Sequence, residues 1–187
     1  MKLEIAPLKK VQLLLILLAT SVVYAHAQGH PTASRAGDLQ VGGGFTTARP
    51  DYLTNRISGF GFYSTFDFRP HWGAEVDFHQ VNDRSGTQVY ERTYEFGGRY
   101  IIGHYGRFVP YVKGLYGRGV YNFNQSQANL AYNMAVGGGG LDVAETPRIN
   151  VRADYEYQHW YGFQFSGLNP QLITIGAAYH FGAGKPH

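Results

Sequence analysis

Between Arg148 and His159 the chain changes character at every residue. Ile149, Val151, Ala153, Tyr155, Tyr157 and His159 occupy the odd positions, while Arg148, Asn150, Arg152, Asp154, Glu156 and Gln158 occupy the even ones. A period of two places alternate side chains on opposite faces of a β-strand, which gives one face that is apolar or aromatic and one that is polar. Trp72 to Val81 repeats the pattern, with Trp72, Ala74, Val76 and Phe78 set against Glu75, Asp77 and His79. Tyr90 to Ile102 sets Tyr94, Phe96, Tyr100 and Ile102 against Glu91, Glu95 and Arg99, and Ile57 to Phe68 sets four Phe against Gly59, Gly61, Thr65 and Asp67. Weaker alternation marks Leu39 to Thr46, Phe108 to Gly119, Tyr132 to Val143 and Gln171 to Phe181. From Asp38 onward no helical period of useful length competes, so the sequence predicts an all-β chain of about eight amphipathic strands.

Eight two-faced strands bury one face most simply by closing into an antiparallel up-and-down barrel. The predicted links alternate between short and long, as they do in barrels with tight turns at one end and longer loops at the other. Alternation alone leaves two barrels open: a transmembrane one with its apolar face toward lipid, and a soluble, lipocalin-like ligand-binding barrel with its apolar face inside. Three features favour the membrane. Tyr90, Tyr94, Tyr100, Tyr155, Tyr157, Tyr161 and Tyr179 crowd the apolar faces and strand ends, where amphipathic rings suit lipid headgroups. The polar faces carry both signs, so Glu75, Asp77, Glu91, Glu95, Arg99, Arg152, Asp154 and Glu156 are candidates for a charge network filling a narrow lumen. Past residue 27 the only lysines are Lys113 and Lys185, few for a water-facing surface, and the abundant glycine suits tight curvature.

Residues 1–27 predict a secretory signal peptide: Lys2, Lys9 and Lys10, then an apolar run, then Ala25-His26-Ala27. Its removal takes three Lys and one Glu, so the net charge falls from +3 to +1. No basic run remains to suggest a nucleic-acid partner. The chain has no Cys, which excludes thiol chemistry and Cys-based metal sites and fits passage through an oxidising compartment. The expected organisation is a signal peptide (1–27), a short lead (28–37), the barrel (38–181) and a tail (182–187), with no cofactor and no metal.

The last strand, Thr174-Ile175-Gly176-Ala177-Ala178-Tyr179-His180-Phe181, resembles the terminal-strand signature by which outer membrane proteins are recognised by the barrel assembly machinery. Thr174, Gly176, Tyr179 and Phe181 carry it. Together with Phe108 to Gly114 and the Gly-rich Ala135 to Leu141, it makes the chain similar to the eight-stranded outer membrane β-barrels of the OmpA and OmpX type. One departure is that six residues follow Phe181, which usually ends such chains. The resemblance implies a cell outer membrane location, partners among outer membrane lipids and lipopolysaccharide, and a structural or surface-interaction role.

Some small outer membrane barrels modify lipid A, so enzymes are the natural alternative. A deacylase-like site would require a His-x-Ser pair with a nearby Glu. His71, His79, His104, His159 and His180 are instead followed two residues later by Gly, Val, Gly, Tyr and Gly. A triad of His159, Glu156 and Ser166 assembled in space remains conceivable beside the simpler reading of His159 as an interfacial ring. Gly137 to Gly140 lacks the Lys-Ser or Lys-Thr of a phosphate-binding loop. Arg49, Arg56 and Arg84 could meet lipopolysaccharide phosphates or simply be solvated.

Overall fold

The alternating segments become eight strands: β1 (Asp38–Arg49), β2 (Ile57–Arg69), β3 (Trp72–Asn82), β4 (Tyr90–Ile101), β5 (Phe108–Asn122), β6 (Asn129–Thr146), β7 (Ile149–Trp160) and β8 (Gln171–Phe181). The structure is a computed structural model describing residues 37–51, 55–83, 89–122, 129–162 and 167–181. The expected signal peptide, the lead as far as 36, the tail, Arg84 and Ser166 lie outside the described residues. Each strand pairs antiparallel with its sequence neighbours, and β1 pairs with β8 from Leu39↔Phe181 to Arg49↔Gln171, so the sheet closes. Closure leaves no strand edge unpaired.

The faces divide as the period of two requires. Phe45, Phe62, Val76, Phe96, Tyr116, Ile175 and Phe181 are exposed on the outside, while Glu75, Asp77, Glu95, Arg99, Arg152, Asp154 and Glu156 are buried inside. Soluble monomers rarely expose contiguous apolar surface of more than a few hundred Å². Here large apolar side chains are exposed along seven of the eight strands, and on the Gly-rich β6 at Leu130. This orientation is the reverse of a soluble ligand-binding barrel. At the end carrying the two-residue turns, Trp72 meets Tyr100 edge-on at 5.0 Å and Tyr179 meets Phe181 at 5.1 Å, forming part of an aromatic belt.

Two sequence expectations need correction. Strands β5 and β6 reach further than Gly119 and Tyr132, because Val120↔Ala131, Tyr121↔Leu130 and Asn122↔Asn129 continue the ladder and Tyr121 packs inward. The links 102–107 and 123–128 are therefore equal in length, and the strict alternation of short and long fails there. Trp160, one residue beyond the alternating segment that ends at His159, closes β7 facing inward and fully buried.

Glycine placement explains how a narrow barrel accepts large inward rings. Tyr63 pairs with Gly42, and a Cβ on that glycine would lie 2.5 Å from the ring. Tyr111 likewise pairs with Gly140, and Trp160 overlies Gly119, where a Cβ would fall 2.4 Å from the indole. These missing side chains make room for rings in a crowded interior.

Candidate functional site

The inward faces meet in a polar network at mid-barrel. The Lys113 ammonium, supplied by β5, lies 3.0 Å from Glu75, 2.7 Å from Asp77, 2.8 Å from Asp154 and 2.7 Å from Glu156. Four carboxylates from β3 and β7 thus converge on one cation across the lumen. Toward the short-turn end, Arg152 donates to Asp142 through Nε at 2.7 Å and Nη2 at 3.1 Å, and to Glu75 at 3.3 Å. Arg99 pairs with Asp142 at 3.1 Å, Asp67 at 3.3 Å and Glu75 at 3.6 Å. Tyr111 lies between the two guanidiniums, 4.5 Å from Arg99 and 5.0 Å from Arg152, and its hydroxyl donates to Asp154. Arg152 also sits 4.1 Å over the Tyr63 ring. Buried charges persist only when paired, and each of these cations faces at least two carboxylates, although Arg99 Nε and Nη1 make no hydrogen bond.

Toward the long-loop end the lumen changes character. Leu115, Tyr121, Met134, Val136 and Trp160 form one apolar cluster with Val89 and Leu168, and Ala48, Ile57, Val81 and Leu172 form another. Gln158 joins the two regions: it accepts from Trp160 Nε1 at 3.0 Å and donates to Glu95 and Glu156 at 2.9 and 3.2 Å. Among the described residues, one group has metal-ligating chemistry, with donor atoms of His79, Glu95 and Glu156 all within 4.8 Å of one another.

An apolar exterior around a charged interior is what a small barrel in lipid requires. Residues 13–181 match the family described as "Outer membrane protein beta-barrel domain". The chain belongs to that family. The barrel is similar to Neisserial surface protein A (TM-score 0.64, 12% identity, covering 79% of this chain and 98% of that one). It is similar as well to OprG of Pseudomonas aeruginosa (0.59, 16%, 80% and 98%) and to the N-terminal β-barrel domain of OprF from the same organism (0.59, 17%, 78% and 99%). At these identities the likeness is one of fold. A search of curated proteins gives no match.

The outer membrane barrel thus places the residues singled out in its sequence as follows. Glu75, Asp77, Asp154 and Glu156 gather on Lys113, Arg99 and Arg152 gather on Asp142 and Glu75, and Glu95 lies against Gln158 and His79. Glu91 is buried and inward-facing near the long-loop end of β4. Lys113, Tyr111 and Asp142 were not singled out, and carrying the alternation through the weaker strands β5 and β6 would have found them. His79 and Gln158 were placed on polar faces but not in the charge network, and Tyr63 falls in phase with Thr65 and Asp67 on β2. In the terminal strand, Thr174 faces inward and its hydroxyl meets that of Thr46 at 2.8 Å, Gly176 lies in the seam with β1, and Tyr179 and Phe181 face outward. His159 and Glu156 are three residues apart on β7 and project to opposite faces, which breaks the conceivable triad. His159 instead packs edge-on against Tyr161 at 5.0 Å and bonds Asn169 at 2.7 Å, as an interfacial ring does.

Proposed function

We propose that this outer membrane barrel is a structural or surface-interaction protein of the envelope whose lumen is plugged by its own charged side chains. The observation that supports this most directly is Lys113, whose ammonium is held within 3.0 Å of four carboxylates from two strands. An ion passing through would have to displace that constellation and then cross the apolar clusters beyond it. In planar bilayers the protein is expected to give no stable conductance step, and large, long-lived steps would sink the plugged reading. Lipid A recovered from cells with and without the gene is expected to carry the same acyl chains; a changed pattern would argue for the enzymatic alternative.

Lipopolysaccharide is the proposed lipid partner. Arg92 and Arg118 face outward near the long-loop ends of β4 and β5, diagonal to each other across the pair Tyr94↔Arg118. Arg92 is braced by Gln80 at 2.9 Å and stands over Tyr90. Guanidiniums at that level can engage lipid phosphates bidentately. Arg49 and Arg56 are exposed close by that end. Replacing Arg92 and Arg118 by Ala is expected to weaken retention of lipopolysaccharide by the purified barrel, read by co-migration in detergent, whereas unchanged retention would remove this assignment. Recognition of β8 by the assembly machinery belongs to the same proposal, carried by the terminal Tyr179 and Phe181.

A further inference from the structure

We propose that the lumen holds one divalent transition-metal ion between His79, Glu95 and Glu156, at the level where the charged network meets the apolar clusters. His79 Nδ1 is 3.4 Å from Glu95 Oε1 and 3.8 Å from Glu156 Oε2. Both separations are long for a charge-assisted hydrogen bond, which closes to about 2.7–2.9 Å. They suit two donors sharing an ion, which would replace the long 3.3 Å contact that His79 Nδ1 makes with Thr93 Oγ1. With bonds of about 2.1 Å, typical of zinc to imidazole and carboxylate, such separations subtend angles of roughly 110° and 130°. One imidazole and two carboxylates form a donor set for Zn²⁺, Co²⁺ or Mn²⁺ in preference to the softer ions that thiolates select.

Three independent features point to the same place. First, Glu95 Oε2 and Asp77 Oδ1 have no hydrogen-bond partner, although these residues are only 3% and 2% exposed. Asp77 and Glu95 are directly paired across β3 and β4, and both side chains are buried in the lumen. Orphaned buried oxygens are costly, and a cation satisfies them without a proton. Second, the charge is unbalanced. The six buried acids Glu75, Asp77, Glu95, Asp142, Asp154 and Glu156 share the described mid-barrel interior with Arg99, Lys113 and Arg152 as permanent cations. Among the described residues, Glu95 has His79 as its only ion-pair partner. Third, the barrel is hollowed around the donors. His79, Glu95 and Glu156 pair with Gly61, Gly117 and Gly138 respectively. A Cβ on Gly61 would lie 2.7 Å from the His79 ring, and one on Gly117 would lie 3.1 Å from Glu95 Cγ.

The surroundings orient the donors. Lys113 takes Glu156 Oε1 at 2.7 Å, while Gln158, anchored by Trp160, donates from Nε2 to Glu95 Oε1 at 2.9 Å and Glu156 Oε2 at 3.2 Å, holding together the two oxygens that would bind the ion. Such outer partners commonly set metal affinity by 10- to 100-fold. The apolar clusters lie over the site, so the ion enters as the barrel folds and exchanges slowly afterwards.

The test is to refold the protein into detergent with Co²⁺ present, remove free ion by gel filtration in chelator, and measure cobalt and its visible spectrum in the heat-modifiable, folded fraction. The expected result is about one cobalt per folded barrel, with retention falling at least tenfold in His79→Gln and Glu95→Gln and persisting in Glu91→Gln. Folded wild-type barrel that retains no cobalt overturns the proposal, as does retention that both substitutions leave unchanged. Should the variants fail to fold, X-ray absorption at the cobalt edge of the wild-type protein decides: imidazole scattering supports the site, and a purely oxygen shell overturns it.

Discussion

An ammonium has three N–H groups, yet Lys113 faces four carboxylates. Its hydrogen bonds go to Glu75, Asp77 and Glu156, while Asp154 takes the Tyr111 hydroxyl instead. That division ranks the residues. Lys113→Met leaves three carboxylates without their donor in a buried setting, and removing one partner of a buried pair costs about 3–5 kcal/mol. A loss of that size is expected in urea unfolding of the barrel in lipid vesicles. Neutralising one acid at the same time, as in Lys113→Met with Glu75→Gln, is expected to restore part of it, because less uncompensated charge remains; a double variant no more stable than the single one would contradict the pairing. Asp154→Asn keeps all three donors of Lys113 occupied and is expected to cost about 1 kcal/mol or less, within the range of one neutral hydrogen bond.

At the scale of the strand, the closing seam is the place least tolerant of volume. Gly44 and Gly176 are paired across β1 and β8, and a Cβ on Gly176 would fall 2.4 Å from the Gly43 carbonyl oxygen, backbone that cannot swing aside. Gly176→Val is therefore expected to lower the fraction of chain that gives the heat-shifted, closed form on a gel. Gly137→Ala, where a Cβ would meet nothing within 4 Å, is expected to leave it unchanged. Equal effects would show that glycine content, and not the contact at the seam, governs closure. The contrast also indicates what the sequence could convey. Which face each strand presents was legible, because a period of two is local: Arg152, Asp154 and Glu156 had to share a side whatever the fold. Which inward residues meet was not, since the stagger that brings Lys113 of β5 against Glu75 of β3 and Glu156 of β7 belongs to the closed sheet. Trp160 escaped for a related reason. Its place depends on the space above Gly119 on β5, two strands away around the barrel.

For the whole molecule, the decisive property is that its apolar surface is outside, and the cost of a charge on that surface must then depend on depth. Phe62 and Val76 lie near the middle of β2 and β3 and are exposed outward, whereas Trp72 and Phe181 stand at the short-turn rim. In lipid, Arg at the midplane of a barrel's outer face costs about 2–4 kcal/mol and falls to about 0–1 near the interfaces. Phe62→Arg and Val76→Arg are thus expected to destabilise the barrel in vesicles by about that larger amount, and Trp72→Arg or Phe181→Arg by the smaller charge cost together with whatever ring packing is lost. The comparison is cleanest at Val76, which has no ring contact to lose, and the same four variants measured in detergent micelles of different thickness would move the boundary between costly and tolerated positions. A soluble barrel offers no such gradient: an exposed Phe or Val replaced by Arg on a water-facing surface changes stability by no more than about 0.5 kcal/mol at any height. A flat profile across the four positions would therefore refute a membrane-spanning outer face, and a midplane maximum would locate the hydrocarbon core on the strands themselves.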